Sequence, residues 1–226
     1  MDQTYCGMKV NTDGVLLGAL AKAINPLTIL DIGTGTGVIA LMLAQRFPAA
    51  QVDALEIDIQ AAETARKNFE RSGFSTRITA YPLSFQDFSK NYPEKKYDLI
   101  VSNPPFFTKS LKNPDVKKHV ARHAGDLLFR ELAGFVNIHL NEKGTCCFIL
   151  PLDGAEQVIK EGAAHQLKLN HVINVHSSGS KPAHRQIFYL SFNSAGSQSE
   201  SFIIYEAEKV YSDQYKTCLK DFLTIF

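Results

Sequence analysis

One short segment restricts the fold more than any other part of the chain. An apolar, β-rich run at Leu27–Ile32 leads into Gly33-Thr34-Gly35-Thr36-Gly37, and a helical pattern, VIALMLAQRF, follows. Glycines between a strand and a helix allow a tight turn and let the backbone approach a ligand without Cβ contact. The segment therefore predicts an α/β fold that holds a small molecule at the carboxyl edge of a sheet.

Strand and helix patterns alternate along the rest of the chain. Further strands are predicted at Gln51–Ile57, Arg77–Tyr81, Tyr97–Ser102, Gly144–Leu150, Leu169–His176 and Arg185–Phe192. Helices are predicted at Thr12–Ile24, Gly37–Phe47, Gln60–Ser72, Asp126–Leu140, Asp153–Gln166 and about 212–223. This alternation predicts crossover connections and a mostly parallel sheet. Only SSGSKPAH joins the last two strands, which should therefore form a C-terminal antiparallel hairpin.

Length and composition agree with one ordinary globular domain. The chain has 226 residues, of which 45% are hydrophobic and 21% are charged. We expect a single domain over 1–226, with an N-terminal helical segment (1–26) and a C-terminal extension (202–226) that contains the apolar run Phe202–Tyr205. No apolar run approaches the roughly 20 residues that cross a bilayer, and no secretory signal is visible. We therefore expect a cytoplasmic protein without a membrane partner.

Two acidic residues accompany the glycine turn. Asp31 lies two residues before the first glycine, and Glu56 ends the next predicted strand. An acid at that strand end, about 20 residues after the turn, can hydrogen-bond both hydroxyls of a ribose. The dinucleotide fingerprint would require glycine at the position of Val38, so a nicotinamide-dependent dehydrogenase is disfavoured. The cysteines lack the C-x-x-C spacing of zinc sites, and we expect no metal.

Together these motifs resemble the Rossmann-like seven-stranded methyltransferases. The resemblance implies that Gly33 and Gly35 lie under the methionine portion of S-adenosyl-L-methionine and that Glu56 lies under its ribose. Members of that family often carry an acid after the third strand, near the adenine of the cofactor. Here Ser84 and Phe85 occupy that position. The Ser84 hydroxyl could bond the adenine amine.

The segment Asn103-Pro104-Pro105-Phe106 follows the fourth predicted strand and indicates the chemistry. Its two prolines have no backbone N–H, and the asparagine adds a side-chain acceptor. Two neighbouring acceptors suit a planar –NH2 group, whose lone pair is delocalised. Accepting both hydrogens localises the lone pair for in-line attack on a methyl group and stabilises the developing positive charge. Phe106 would stack on the target ring.

The same four residues resemble the motif of the amino-methyltransferases, whose usual form is Asn-Pro-Pro-Tyr. Phe106 lacks the phenol hydroxyl and keeps the aromatic face. The motif serves adenine N6, guanine N2 and the amide of glutamine, so RNA and protein substrates remain open. Glutamine methyltransferases normally carry a helical domain before the glycine turn, for which Asp31 leaves no room. A non-catalytic nucleotide-binding or RNA-binding module is a further alternative.

Three segments are similar to the bacterial tRNA(Val) adenine N6-methyltransferase family. They are Met8–Ala19, Ala121–His123 with the leucine-rich helix after it, and Phe202–Phe226. The resemblance implies an S-adenosylmethionine-dependent enzyme that methylates the adenine immediately 3′ of the anticodon. It also implies that Lys9, Thr12 and Asp13 close over the cofactor. Alternatively, Thr12 or Asp13 caps the N-terminal helix.

Positive charge is clustered although the net charge is only +1. Gly162–Ser199 contains no Asp or Glu, and a second basic stretch runs from Lys109 to Arg122. Such clusters are typical of a polyanion partner, here a tRNA, or simply of a solvated face. Candidate RNA-binding residues are Lys109, Lys112, Lys117, Lys118, Arg122, His123, Lys181 and Arg185. The oligomeric state is not indicated by the sequence.

Overall fold

A computed structural model describes residues 1–4, 9–105, 116–193 and 196–224, without the side chains of 116–124. The helices are α1 Thr12–Leu20, α2 Val38–Arg46, α3 Ile59–Glu70, α4 Phe85–Asn91, α5 Val116–His139, α6 Leu152–Ala164 and α7 Asp213–Leu219. The strands are β1 Thr28–Ile32, β2 Gln51–Leu55, β3 Ile78–Tyr81, β4 Tyr97–Ser102, β5 Leu140–Leu150, β6 Lys168–Ser178, β7 Ala183–Ser191, β8 Gln198–Ala207 and β9 Val210–Tyr211.

All of these strands belong to one sheet. Its order is β3-β2-β1-β4-β5-β7-β6-β8-β9. The strands β1 to β5 pair in parallel, whereas β7 runs antiparallel between β5 and β6. The predicted mostly parallel sheet with an antiparallel hairpin is confirmed. It carries two strands beyond the predicted seven, because the residues after β7 add β8 (Gln198–Ala207), parallel to β6, and then β9.

Side-chain alternation along the strands creates a hydrophobic core on each face of the sheet. On β1, Ile29 belongs to the core cluster that includes residues of α1, α2 and α7, while Leu30 belongs to the one that includes residues of α4, α5 and α6. Adjacent strand residues point to opposite faces, so one strand supplies both cores. The sheet is therefore covered on both sides, and ligands can reach its parallel strands only at their ends.

Several predicted boundaries were wrong. The helix predicted from Asp126 begins at Val116, so Lys117 and Lys118 lie on α5. The strand predicted from Gly144 begins at Leu140. The helix α4 was not predicted; it has only 7 residues and begins after Ser84, too short for a clear periodic pattern.

The first helix ends at Leu20 rather than at Ile24. The backbone of Ala21 turns to ψ 131°, and Asn25 adopts a positive φ of 47° before Pro26. A proline disfavours the helical conformation of the residue before it, so Asn25 cannot continue a helix, and the chain reaches β1 through a turn.

Candidate functional site

The carboxyl ends of three parallel strands meet at one place on the sheet edge. Ile32 at the end of β1 pairs with Leu55 on β2 and with Ser102 on β4. The Ser102 hydroxyl donates a 2.8 Å hydrogen bond to the Ile32 carbonyl. Since each of these residues ends its strand, the following residues, Gly33, Glu56 and Asn103, emerge side by side at the edge. The candidate site is built around them.

The glycine turn after β1 requires its glycines for two different reasons. Gly33, Gly35 and Gly37 have φ values of 75°, 54° and 84°, which side-chain-bearing residues rarely adopt. A Cβ on Gly33 would meet nothing within 4 Å, whereas one on Gly37 would lie 2.3 Å from the Phe69 ring. Gly33 thus borders open space suited to a ligand, and Gly37 permits close packing of α3.

Glu56 connects the glycine turn to the end of β2. Its Oε2 accepts a 2.9 Å hydrogen bond from the Gly35 N–H, and its Oε1 accepts one of 3.0 Å from the Asp58 N–H. A carboxylate can accept further hydrogen bonds, so Glu56 remains able to bind ligand hydroxyls. Beside it, the apolar side chain of Ile57 is 73% exposed. Ile57 was not among the predicted site residues, although it directly follows the strand-end acid.

Asp31 is fully buried directly before the turn. Its Oδ2 accepts a 2.6 Å hydrogen bond from the Thr34 hydroxyl, and no described residue donates a hydrogen bond to its Oδ1. Burial raises the pKa of Asp31 to about 7, against the lowering effect of the Thr34 hydroxyl and the Ala40 N–H. An unpaired buried acceptor is costly. A cationic or hydrogen-bond-donating ligand at the turn would relieve that cost.

Asn103 presents a second buried acceptor without a partner. Its side chain is 9% exposed, and its Oδ1 makes no hydrogen bond within the part of the chain that the structure describes. Pro104, which is buried, and Pro105, which is exposed, follow without any backbone N–H to compete for the oxygen. Phe106, predicted to stack on the target ring, lies outside the described residues. The described part of the motif thus offers oxygen acceptors beside Gly33.

The N-terminal candidates lie at the start of α1. Lys9 and Thr12 are exposed. The predicted cap at Thr12 or Asp13 was wrong: Asn11 is the N-cap, and its side chain accepts a hydrogen bond of 2.9 Å from the Gly14 N–H. Asn11 has an extended backbone, whereas Thr12 and Asp13 are already helical, so only Asn11 can reach the free N–H groups of the first turn.

Ser84 and Phe85 have local structural partners. The Ser84 hydroxyl accepts from the Asp87 N–H at 3.0 Å and donates to the Asp87 carboxylate at 2.8 Å, which caps α4. The Phe85 ring packs edge-on against Phe135, with 5.5 Å between the ring centres. The capping role explains serine at this position without a ligand. Contact of either residue with a cofactor stays a prediction.

The candidate RNA-binding residues fall into three groups. Lys109 and Lys112 lie outside the described residues. The side chains of Lys117, Lys118, Arg122 and His123 on α5 also lie outside them.

The remaining two are described. Arg185 pairs with Asp13. Lys181 is exposed and borders a surface cavity of about 800 Å³ at the ends of β6 and β8. Lys209, Glu206 and Glu208 also line that cavity, so its formal charge is balanced. RNA binding by Lys181 and Arg185 stays a prediction.

Among the described residues there is neither a metal-binding cluster nor a membrane-spanning helix. Within the ranges given above, no group of three or more His, Cys, Asp or Glu side chains is arranged to hold a metal ion. None of the helices that the structure describes is long and apolar enough to cross a lipid bilayer.

The sheet order and the glycine turn define a Rossmann-like methyltransferase. The family model for the methyltransferase small domain matches residues 6–145. A crystal structure described as a predicted O-methyltransferase from Agrobacterium tumefaciens superposes with a TM-score of 0.72 at 17% identity, covering 92% of this chain and 96% of that one. At that identity the likeness supports the fold alone.

Relatives with greater sequence similarity are more specific. A protein from Pedobacter heparinus is 47% identical over 226 residues, covering 100% of this chain and 95% of its own. One from Christiangramia forsetii is 37% identical over 224 residues, covering 98% and 93%. Both are named tRNA1(Val) (adenine(37)-N6)-methyltransferase. The chain belongs to this family of methyltransferases, and the predicted family membership and enzyme class are confirmed.

Proposed function

We propose that this enzyme transfers a methyl group from S-adenosyl-L-methionine to the exocyclic N6 of adenine 37, immediately 3′ of the anticodon, in tRNA1(Val). The observation that carries the proposal is the buried Asn103 oxygen, which has no hydrogen-bond partner among the described residues and emerges beside the glycine turn. A buried acceptor without a partner needs an explanation. A substrate amine would supply the missing donor.

The residues around the glycine turn fit the proposed cofactor. Gly33 leaves open space above its backbone, and Glu56 retains acceptor capacity for the ribose hydroxyls. Asp31 has a buried oxygen free to balance positive charge. When bound, S-adenosyl-L-methionine supplies a methyl group activated by its sulfonium cation. Lys9 and Thr12, exposed beside the start of α1, are the proposed residues that cover it.

Asn103 is the proposed catalytic residue. Its Oδ1 and the carbonyl oxygen of Pro104 would accept the two hydrogens of the adenine amine and hold its nitrogen toward the methyl group. Rigid acceptors that need no rearrangement stabilise the positive charge that develops on that nitrogen during transfer. The methylated ammonium is strongly acidic and loses its proton to water, so no strong base is required. Phe106 would stack on the adenine ring.

The choice of adenine rests on the relatives. The Asn-Pro-Pro-Phe sequence is equally suited to guanine N2 and to a glutamine amide. The relatives that match almost the full length of this chain are named for N6 of adenine 37 in tRNA1(Val). This favours an RNA substrate and the same nucleotide.

The test uses tritiated cofactor and two tRNA1(Val) transcripts, one with adenine and one with guanine at nucleotide 37. Nucleoside mass spectrometry should identify N6-methyladenosine from the first transcript and no methylated product from the second. Label recovered as N2-methylguanosine, or only in added cell protein, would reject the adenine assignment. A parallel reaction with Asn103→Ala should give no product while the variant still binds the cofactor in calorimetry.

A further inference from the structure

An ion pair joins Asp13, in the first turn of α1, to Arg185 on β7. The Arg185 Nε donates to the Asp13 Oδ2 at 2.8 Å, and the two side chains are 22% and 17% exposed. Arg185 also donates from Nη1 to the carbonyl of His184 at 2.9 Å. A bond between residues 172 positions apart does not follow from local structure. It ties the first turn of α1 to the start of β7.

The strand β7 holds α1 at both of its ends. The Tyr189 hydroxyl donates a 2.7 Å hydrogen bond to the carbonyl of Leu20, the last residue of α1. Arg185 binds Asp13 in the first turn. Arg185 and Tyr189 lie on the same face of β7, because strand residues at even spacing share a face. Between these contacts, Leu16 and Leu17 are fully buried. Burial of these leucines stabilises the helix in place without the ion pair.

The first turn of α1 lies against the helix that follows the glycine turn. A Cβ on Gly14 would come within 3.7 Å of Val38 and 3.9 Å of Ile39, the first residues of α2. Asn11, the N-cap of α1, is also within contact distance of that Cβ position. Asp13 therefore belongs to the part of α1 that borders the proposed cofactor site.

Further polar contacts connect the N-terminal residues to the same turn. The Asn68 amide donates to the carbonyls of Asp2 and Thr36 at 2.8 and 2.9 Å. The Val10 N–H donates to the Gln3 side chain at 3.0 Å. The residues on both sides of the undescribed positions 5–8 are thus held near the glycine turn. The Asp13–Arg185 pair anchors the α1 side of this arrangement.

We propose that Arg185 and Asp13 are positioning residues that fix the first turn of α1 beside the glycine turn, so that they govern affinity for the cofactor rather than for RNA. This inference rests on the proposed function, because it concerns the same cofactor site. It assigns Arg185 a role different from the RNA contact expected from its charge. A partly buried pair that loses one partner leaves the other charge poorly solvated, which loosens the segment that both residues hold.

The test measures S-adenosyl-L-methionine binding by calorimetry on the full chain, without RNA. Arg185→Gln and Asp13→Asn should each raise the Kd about tenfold, and the KM for the cofactor in parallel, with a smaller change in kcat. Exchange of the two residues, Asp13→Arg with Arg185→Asp, should restore the Kd to within about threefold of wild type. Tyr189→Phe is the matched control: it removes the contact at the other end of α1, and should lower Tm without changing the cofactor Kd.

Each alternative outcome is distinct. If wild type binds the cofactor and both single variants bind equally well, the positioning role is rejected and the proposed function stands. If Arg185→Gln instead raises the KM for tRNA and reduces its salt dependence, Arg185 is a phosphate-binding residue. If the exchange variant folds with wild-type Tm but does not recover affinity, the pair does not act through its charges. If wild type binds no cofactor, both the inference and the proposed function fail.

Discussion

Two aspartates on neighbouring strands, at opposite ends of the sheet, have contrasting environments. At the amino end of β4, the Asp98 carboxylate accepts from the N–H groups of Leu27 and Thr28 at 2.9 and 3.1 Å, and from the Asn141 amide at 2.7 Å. At the carboxyl end of β1, Asp31 is buried with one oxygen unpartnered. Partial burial would raise the pKa of Asp98, but these hydrogen bonds outweigh it and lower the pKa. Burial raises that of Asp31 to about 7.

The amino ends of these strands carry residues that stabilise the fold, whereas the carboxyl ends carry unpaired acceptors suited to a ligand. Asp98 accepts hydrogen bonds from Thr28 and Asn141 and so ties β1, β4 and β5 together. Asp31 and Asn103 leave buried oxygens unpaired, which costs stability unless another molecule pairs with them. Residues of the same chemical types therefore serve different purposes at the two ends of the same strands.

The largest expected effect distinguishes the two asparagines. Asn103→Ala should lower kcat at least about 100-fold, because it removes an acceptor for the reacting amine, and should leave cofactor Kd nearly unchanged. Asn141→Ala is the control at the opposite edge and should retain wild-type kcat at 25 °C. Initial rates with tritiated cofactor measure both. Comparable losses of kcat in the two variants would remove the distinction between the edges.

The next effect concerns the pH dependence of cofactor binding. A cationic cofactor favours the ionised form of Asp31, so binding below pH 7 should release a proton. Affinity should rise up to about tenfold per pH unit as the pH approaches the Asp31 pKa of about 7, and level off above it. Asp31→Asn should abolish this dependence. Calorimetric titrations from acid to neutral pH measure it, and a wild-type affinity independent of pH would exclude Asp31 from the cofactor site.

The two aspartates should also affect stability with opposite signs. Because the folded pKa of Asp31 is raised, its contribution is present below its unfolded pKa and is lost as pH rises through about 7. Asp31→Asn should therefore increase the free energy of unfolding at pH 8, by about 1–4 kcal/mol, and change it little at low pH.

Asp98 has a lowered folded pKa, so its contribution is present above its unfolded pKa and is lost as pH falls through the folded one. Asp98→Ala should destabilise the protein by about 1–2 kcal/mol at neutral pH. Urea titrations of both variants at low pH, at neutral pH and at pH 8 measure these changes in the free energy of unfolding. Destabilisation by Asp31→Asn at pH 8 would contradict the conclusion that the buried Asp31 carboxylate, with one unpaired oxygen, costs stability when it is ionised.

The smallest effect is expected at Lys181, at the carboxyl ends of β6 and β8. Lys181 is exposed beside a cavity of balanced charge. If it contacts a tRNA phosphate, Lys181→Ala should raise the tRNA KM about two- to threefold and reduce the salt slope by about 1. Glu208→Gln on the same cavity is the control, and should leave the slope unchanged or steepen it. An unchanged slope in the lysine variant would limit the RNA-binding surface to other residues.

Much of the architecture was predictable because it depends on local patterns. Tyr97–Ser102 was predicted with its observed limits, since its apolar centre, Leu99–Val101, followed directly by Asn103 and two prolines, is typical of a buried parallel strand. The short helix α4 was missed, because a segment of seven residues has too little periodicity. The strands added by the C-terminal extension were only partly visible, as one apolar run, because their pairing with β6 is a long-range contact.

The sequence by itself determined the residue types at the site and the order in which they follow their strands. Strand-end position places Gly33, Glu56 and Asn103 at one edge, since parallel strands share a direction. Only the tertiary structure decided which oxygens are left unpaired and which charges are neutralised. Arg185 could be identified as basic but not as the partner of Asp13, because hydrogen bonds between distant residues depend on packing that local patterns do not encode.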